Sequence, residues 1–456
     1  MAGSQPETEH KKTMTTARFL GSLTSANPAR VWTASIGCRL NQAEMDRLLR
    51  EAVGGGLALA ERPDRAHVCV VNTCAVTAEA ERKSRQAIRR LATANPRASI
   101  VATGCYVTLK PQEASTLPGV SEVVNNESKP DLLRRLGWVP DGAGGPSWRL
   151  PGGRTRAFLE VQTGCDHRCA YCITALARGP ASSRPAATLI EELQALEQAG
   201  YQEVVLTGVC LGSYRWPHAD QSDATPSERW SLAQLLPAIL DRTSIPRIRL
   251  SSVEPWDVTP ELIALWEDTR LCRQLHLPLQ SGAGAALRRM GRPMDPSTFR
   301  NLVERLDSAI PDLAVTTDVM VGFPGESESE FQESRRLIDE LSLARIHLFR
   351  FSARPGTRAA VMPERVPVRT VADRLAVIRE LANQKQQLFR QRFVGRTMSV
   401  LWESRAQGNL WRGYTDNYMP VHADHPADLR NTVTPVRLTG FRGDALTGEV
   451  LAIERR

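Results

Sequence analysis

The chain has 456 residues, of which 42% are hydrophobic and 24% charged, a composition that excludes a largely disordered protein and predicts two or three globular domains. It lacks a run of about 18 apolar residues that would form a transmembrane helix, and its polar N-terminus lacks the apolar segment of a secretory signal, so we expect a flexible extension over residues 1–29 and a cytoplasmic protein. Lys and Arg outnumber Asp and Glu by 58 to 50, for a net charge of +8, which suits a polyanionic partner and equally a solvated basic surface.

Strand-like and helical stretches alternate over residues 30–140, which predicts an N-terminal domain with a parallel α/β sheet. Three of the predicted strands are each followed by a cysteine, namely Cys38, Cys74 and Cys105. Sites in open parallel sheets form outside the carboxyl ends of the strands, so we expect these three residues to converge on one ligand although they are distant in sequence. Residues 141–153 have the Gly and Pro content of a linker.

About six strand-then-helix units follow over residues 154–386, and they predict a partial TIM-type (β/α)6 barrel with its chemistry at the carboxyl ends of the strands. Over residues 387–456 the pattern changes to five short strands, which predict a small β-barrel of the OB type, a frequent nucleic-acid-binding fold. Aromatic side chains of this barrel either stack on bases or pack its interior. The three candidates are Trp411, Tyr414 and Tyr418. The expected fold class is therefore α/β with a C-terminal β-barrel.

A loop at the start of the central domain has the spacing C-x3-C-x2-C, with Cys165, Cys169 and Cys172. Three thiolates on a short loop bind three corners of a [4Fe–4S] cube and leave the fourth iron open to another ligand. The alternatives are a zinc site, for which His167 would be the fourth ligand from inside the loop, and a chance grouping of structural cysteines. The chain has nine cysteines, and cytosolic thiols stay reduced, so metal or cluster binding explains them better than disulfides do.

The cysteine loop, with an aromatic residue before its last cysteine, resembles the signature of the radical SAM superfamily, whose members use S-adenosylmethionine (SAM). More specifically, the sequence resembles the methylthiotransferases over about residues 30–456, with an N-terminal cluster domain, a radical SAM domain and a C-terminal TRAM domain in the expected order. The segments that carry the resemblance are 37–41, 72–74, 103–105, 177–180, 276–282, 322–326 and 354–357.

Two segments make the chain most similar to the branch that acts on threonylcarbamoyladenosine in tRNA, residues 72–89 and 249–256. The branch that acts on isopentenyladenosine usually has Gln-Met-Asn after the first cysteine, whereas this chain has Arg39-Leu40-Asn41. The chain departs from the family pattern at a few positions that are not cysteine ligands, namely Thr174, Ala175, Cys210 and Asp295. Three cysteines outside the motifs are expected to be small buried residues. These are Cys69, Cys210 and Cys272.

The resemblance implies two [4Fe–4S] clusters. The cluster on the central cysteine loop would bind SAM and cleave it to a 5′-deoxyadenosyl radical, and the cluster on the three N-terminal cysteines would carry the sulfur. The product would be a methylthio group at carbon 2 of N6-threonylcarbamoyladenosine, next to the tRNA anticodon, with two SAM molecules used per turnover. An electron donor such as flavodoxin or ferredoxin would serve as the reducing partner.

The resemblance also indicates residues that contact SAM at the ends of the predicted strands, with turn formation and strand-end capping as the alternative explanation. These candidates are Thr207, Gly208, Ser251, Glu254 and Gln280. Arg178 is expected to pair with the SAM carboxylate or to contact a phosphate. Asn41 and Asn72 are expected to support the N-terminal cluster.

The predicted helix over residues 79–91 carries a basic face that either follows the tRNA backbone or is solvated. Its cations are Arg82, Lys83, Arg85, Arg89 and Arg90.

Two rival functions remain. The same chemistry would serve isopentenyladenosine in tRNA or an aspartate side chain of a ribosomal protein. Alternatively, the chain is a non-catalytic iron–sulfur RNA-binding protein, which would form no 5′-deoxyadenosine from SAM.

Overall fold

A computed structural model describes residues 30–136, 138, 147–148, 154–217 and 229–451. The predicted extension over residues 1–29 lies outside the described residues, as does most of the predicted linker over 141–153. Within the described ranges, every helix is too short or too polar to cross a bilayer.

The N-terminal region is a five-stranded parallel sheet with the strand order β2-β1-β3-β4-β5. Its strands are β1 (Arg30–Ser35), β2 (Ala58–Leu59), β3 (Val68–Thr73), β4 (Ser99–Gly104) and β5 (Val120–Val124). All six residues of β3 are buried, because helices cover both faces of a parallel sheet. The helices are α1 (Arg39–Gly54), α2 (Ala78–Ala94), α3 (Cys105–Leu109), α4 (Pro111–Ser115) and α5 (Leu132–Arg135). The predicted parallel α/β arrangement is confirmed.

The central region is an open barrel of six parallel strands that follow one another in chain order. The structure has two three-stranded sheets, β6-β9-β12 and β13-β14-β15, and backbone bridges Ile248–Leu271 and Ser252–His276 join them. The strands, with two short ribbons, are β6 (Arg156–Glu160), β7 (Gln162–Thr163), β8 (Ser182–Ser183), β9 (Glu203–Thr207), β10 (Trp216–Pro217), β11 (Arg229–Trp230), β12 (Arg247–Leu250), β13 (Gln274–His276), β14 (Ala314–Val321) and β15 (Arg345–Arg350).

The helices of this region are α6 (Thr174–Arg178), α7 (Ala186–Gln198), α8 (Leu232–Arg242), α9 (Pro260–Ala264), α10 (Gly284–Met290), α11 (Pro296–Ala309), α12 (Glu328–Glu340) and α13 (Val368–Gln391). Six of these, α7, α8, α9, α11, α12 and α13, share one large apolar core with the strands, whereas Ala177 of α6 packs in a core of the N-terminal region. The domain boundary predicted after residue 386 falls inside α13, because helical periodicity continues past it. Short 3-10 turns complete the region at Leu211–Ser213, Pro255–Asp257, Leu265–Glu267 and Arg358–Ala360.

The C-terminal region is a closed five-stranded barrel with the order β16-β17-β18-β20-β19, as predicted. Its strands are β16 (Thr397–Arg405), β17 (Leu410–Thr415), β18 (Pro420–Asp424), β19 (Val433–Arg442) and β20 (Ala445–Val450). Two arginines of β12 donate to backbone carbonyls of this region. Arg247 donates to Ser399 O over 2.6 Å, and Arg249 donates to Asp416 O over 2.8 Å. Helix α1 packs against β6, so both terminal regions adjoin the central sheet.

Candidate active site

The three N-terminal cysteines lie at the carboxyl ends of neighbouring strands, after β1, β3 and β4. Gly37 has a φ of +98°, and a Cβ atom there would lie 2.6 Å from the Sγ of Cys74. Gly37, which precedes Cys38, therefore lies against the Cys74 side chain, and only glycine permits this approach. The structure brings these two cysteines together as the strand pattern indicates.

Asparagine side chains hold these cysteine segments in place. Asn41 Nδ2 donates to the carbonyls of Ile36 and Thr73, over 2.8 and 3.1 Å. Asn72 Nδ2 donates to Asn41 O over 3.0 Å. Asn126, which the sequence reasoning missed, places its Nδ2 3.7 Å from Cys105 Sγ. These amides link the three strand ends, which is the supporting position expected of groups around a cluster.

A buried group of charges lies beside the N-terminal cysteines. Glu44 accepts from Lys129 Nζ over 2.7 Å and from Arg178 Nη1 over 2.8 Å. Burial by itself would raise the pKa of Glu44, but Lys129 and Arg178 lower it to about 2. Two cations face one carboxylate, so the group carries a net positive charge, which suits an anionic iron–sulfur cluster on the three thiols.

Arg178 joins this group to the start of the central cysteine loop. Its side chain is 3% exposed, and its Nη2 donates to Asn41 Oδ1 over 2.5 Å, while its Nη1 donates to Thr163 Oγ1 over 3.0 Å. The predicted pairing of Arg178 with the SAM carboxylate or a phosphate stays a prediction. Sequence reasoning missed Glu44 and Lys129, because a Glu on an amphipathic helix and a Lys in a loop are usually surface residues.

The central cysteine loop follows β7 and is bent sharply at Gly164, which has a φ of +69°. A Cβ atom at this position would lie 1.8 Å from Pro180 O, so residue 164 has to be glycine. Cys165 N donates to Gly179 O over 3.1 Å, and Cys172 N donates to Cys169 O over 3.1 Å. These bonds turn the loop back on itself, so that three cysteines share one short turn.

The three thiols of this loop are only partly covered by protein. Burial raises the pKa of Cys165 to about 11, so that a free thiol here stays protonated at neutral pH and a metal has to displace its proton. Three accessible thiols on one turn are the donor set that a [4Fe–4S] cluster with one open iron requires.

The predicted SAM residues lie at the ends of β9, β12 and β13. Gly208, directly after β9, donates its N–H to Ser251 Oγ over 3.3 Å. Gln280 has a φ of +72°, and its buried Oε1 has no hydrogen-bond partner among the described residues. A strained residue with a free buried acceptor is typical of a ligand-binding position. The residues present therefore fit a polar ligand such as SAM.

Glu254 is held by a residue that sequence reasoning missed. Arg292 Nη2 donates to Glu254 Oε2 over 2.6 Å, and the guanidinium lies 4.8 Å from the centroid of the Trp256 ring. Arg292 also contributes to lowering the pKa of Cys169, against the larger effect of burial, which raises it. No motif marks Arg292, so only its position in space indicates a role beside the cysteine loop.

One cavity of ≈ 380 Å³ brings together some residues of the N-terminal cysteine set and of the predicted SAM set. It is lined by residues from all three regions of the chain, namely Cys38, Arg39, Leu40, Thr207, Gly208, Ser251, Ser252, Gln274, His276, Thr316, Asp318, Arg345, His347 and Tyr418. Cys38 belongs to the N-terminal cysteine set, whereas Thr207, Gly208 and Ser251 belong to the predicted SAM residues. One N-terminal cysteine and three of the predicted SAM residues therefore open into the same space, whereas the central cysteines, Glu254 and Gln280 are not among its lining residues.

The wall of this cavity is polar and carries free cations. Arg39 and Arg345 form no ion pair with a carboxylate of the described ranges. His276 Nε2 lies 3.3 Å from Asp318 Oδ1, and its ring is 5.5 Å from that of His347. Arg39 and His276 fall in the segments 37–41 and 276–282 that carry the family resemblance, but no contact was predicted for them. Sequence reasoning missed Arg345 and His347, because single polar residues within a strand form no motif.

The three C-terminal aromatic candidates separate into two groups. Trp411 is 3% exposed and donates from Nε1 to His425 O over 3.2 Å, so it packs the barrel. Tyr414 and Tyr418 stack on each other with centroids 5.0 Å apart. Tyr418 lines the cavity, and Arg39 lies 5.3 Å from its centroid.

Part of the expected basic face of α2 is neutralised by carboxylates. Arg82 and Lys83 both pair with Glu79, over 2.7 and 3.5 Å, and Arg85 pairs with Glu81 over 2.5 Å. The two cations of this face that are exposed and form no ion pair with a described carboxylate are Arg89 and Arg90.

Comparison with solved structures shows the same fold. The structure of the radical S-adenosylmethionine methyltransferase TsrM from Kitasatospora setae, with cobalamin and a [4Fe-4S] cluster bound, covers 73% of this chain and 77% of that chain at a TM-score of 0.51. Its sequence identity is 15%, so this likeness concerns the fold alone.

Sequence comparison identifies the family. Residues 30–125 match the model of uncharacterized protein family UPF0004, and residues 159–338 match that of the radical SAM superfamily. The threonylcarbamoyladenosine tRNA methylthiotransferase of Thermotoga maritima is 35% identical over 398 residues, which are 84% of this chain and 89% of that protein. The tRNA-2-methylthio-N(6)-dimethylallyladenosine synthase of Novosphingobium aromaticivorans is 33% identical over 90% of this chain and 95% of that protein. The chain therefore belongs to the radical SAM tRNA methylthiotransferases, enzymes that use SAM and two [4Fe–4S] clusters.

Proposed function

We propose that this enzyme inserts a methylthio group at carbon 2 of N6-threonylcarbamoyladenosine, next to the anticodon of tRNA, and uses two SAM molecules per turnover. The observation that carries the proposal is the cavity shared by Cys38 and by the predicted SAM residues, such as Gly208 and Ser251. When bound, the cluster of the central loop supplies the electron that cleaves SAM, and the N-terminal cluster supplies the sulfur.

The lining of the cavity supports the threonylcarbamoyl substituent over the isopentenyl one. Leu40 is the one aliphatic side chain among the lining residues, whereas Arg39 and Arg345 are cations without a carboxylate partner in the described ranges. A threonylcarbamoyl group carries a carboxylate that these guanidinium groups would bind by charge-assisted hydrogen bonds. An isopentenyl group would instead offer these guanidinium groups no charged partner and would gain none of this stabilisation.

The cavity itself would orient the acceptor base. Tyr418 lines it from the C-terminal barrel, but its ring is already stacked on Tyr414 and lies beneath the guanidinium groups of Arg39 and Arg249, so the base would meet a wall of these guanidinium groups and the rim of the ring. Cys38 opens into the same space, so a base bound there would lie between the N-terminal cysteine set and the SAM residues. The reaction requires this arrangement, because the base has to meet both the radical and the sulfur.

The proposal is tested with anaerobically reconstituted enzyme, SAM, dithionite and tRNA that carries either threonylcarbamoyladenosine or isopentenyladenosine. We expect mass spectrometry of the digested nucleosides to show a methylthio adduct on threonylcarbamoyladenosine only. 5′-Deoxyadenosine and S-adenosylhomocysteine should form in equal amounts, one of each per product. The adduct should be absent with the Cys169→Ala variant.

A matched pair of variants tests the role of the cavity cations. Arg345→Ala should lower kcat/KM for the threonylcarbamoyladenosine substrate roughly ten- to hundredfold, the effect of losing a hydrogen bond to a charged group. Arg335→Ala, which removes an exposed Arg of α12, should leave kcat/KM unchanged. An adduct on isopentenyladenosine, or on a ribosomal protein aspartate, would show that the substrate has been misassigned.

A further inference from the structure

Three metal-binding side chains from distant segments meet beside the central cysteine loop. His167 comes from the loop itself, Cys210 follows β9, and Asp257 ends the 3-10 turn Pro255–Asp257. One donor atom of each lies within 4.8 Å of those of the other two. Neither of the two cysteine sets that hold the predicted clusters contains these residues.

The distances agree with the geometry of a tetrahedral metal site. Cys210 Sγ lies 3.8 Å from His167 Nε2 and 3.6 Å from Asp257 Oδ2. A tetrahedral zinc ion with a Zn–S bond of about 2.3 Å and Zn–N and Zn–O bonds of about 2.1 Å separates its S from its N or O ligands by about 3.6 Å. The two distances from Cys210 Sγ thus match this geometry, and the donor atoms of His167 and Asp257 lie within 4.8 Å of each other.

The surrounding residues keep this group in place. A Cβ atom on Gly212 would lie 2.4 Å from Asp257 Oδ2, so glycine is needed for the carboxylate to reach Cys210. Cys210 N donates to Gln162 Oε1 over 3.0 Å, and Ser213 Oγ donates to Cys210 Sγ over 3.0 Å. A hydrogen bond to a ligating sulfur is a common feature of the outer shell of metal sites.

We propose that His167, Cys210 and Asp257 bind a single Zn²⁺ ion, with a fourth position open to water. Nitrogen, thiolate and carboxylate donors together suit zinc, and three protein ligands with one open position are an established zinc arrangement. As the S–Zn bond forms, the Cys210 thiol releases its proton to solvent. Because His167 lies between Cys165 and Cys169, the ion ties the cysteine loop to the segments that follow β9 and β12.

The enzyme, with its clusters loaded, is first dialysed against a chelator to remove loosely held metal. It is then titrated with Zn²⁺ alone. Iron and zinc are counted in the same sample by mass spectrometry. We expect one zinc per chain in addition to the cluster iron, and, with Co²⁺ in its place, the absorption of a site with one thiolate.

Variants determine whether the ion binds at this site. Cys210→Ser and the isosteric Asp257→Asn should each weaken Zn²⁺ binding by more than about tenfold, while Cys210→His, which keeps a ligand, should retain the ion. The matched control is Cys272→Ser, at a buried cysteine elsewhere in the sheet. Iron content and circular dichroism show whether each variant folds. If Cys210→Ser does not fold, zinc binding by Asp257→Asn decides whether the ion binds at this site. The proposal is overturned if the wild-type enzyme takes up no zinc, or if Asp257→Asn and the control bind it equally.

Discussion

Replacing Glu44 by Gln tests the buried charges beside the N-terminal cysteines. Glu44 lies between Lys129 and Arg178, whose side chains are only 5% and 3% exposed. Without the carboxylate, both cations stay buried beside neutral partners such as Asn41 and Asn72. Removing one partner of a buried ion pair costs about 3–5 kcal/mol, because the remaining charge has neither water nor a counterion.

The pKa of Glu44 gives a similar value for its contribution to the free energy of unfolding. Burial, which would raise it, is outweighed by Lys129 and Arg178, so the pKa falls from 4.5 to about 2. At about 1.4 kcal/mol per pKa unit, ionisation of Glu44 stabilises the fold by about 3 kcal/mol. Since the folded state has the lower pKa, this stabilisation is present at neutral pH and is lost as the pH falls from 4.5 towards 2.

The assay is urea unfolding of the cluster-free protein, followed by circular dichroism at pH 7 and at successively lower pH. Glu44→Gln should lower the free energy of unfolding by about 3 kcal/mol at pH 7, and this deficit should shrink as the pH approaches 3. The control is Glu51→Gln on the same helix, where the carboxylate is 46% exposed and 4.0 Å from Arg47. Its effect should stay below about 1 kcal/mol. Equal effects of the two variants at pH 7, or a deficit that does not change with pH, would refute the reasoning.

Two further substitutions probe the cysteine loop and the central sheet. Gly164→Ala would place a Cβ atom 1.8 Å from Pro180 O and should lower the iron bound per chain. The control Gly408→Ala, in the C-terminal barrel and with no atom within 4 Å, should cost only about 1–2 kcal/mol for its positive φ and keep the iron. Equal iron contents would contradict this. Arg249 is fully buried and lies 2.7 Å from the carboxylate of Glu203. Glu203→Gln removes this counterion and should destabilise the protein by about 3–5 kcal/mol. An unchanged melting temperature in calorimetry would show that the ion pair is not needed.

Local patterns in the sequence identified most of the architecture. The parallel N-terminal sheet, the six central strands and the terminal barrel follow from hydrophobic periodicity, which depends on near neighbours in the chain. The cysteine loop could also be predicted from the sequence, because Cys165, Cys169 and Cys172 lie within a few positions of one another. Helix α13 shows the limit of this approach, since its periodicity runs through the predicted domain boundary at residue 386.

The sequence by itself determined the cysteine motifs, the positions of most strands along the chain and the family resemblance, because each depends on residue types at short, regular spacing. Only the tertiary structure decided the partners of Arg178, which pairs with Glu44 from 134 positions away. The same holds for the cavity, whose wall draws on Cys38, Arg345 and Tyr418. Charge pairing and cavity lining depend on which elements pack together, and packing joins residues whose separation along the chain carries no repeating pattern.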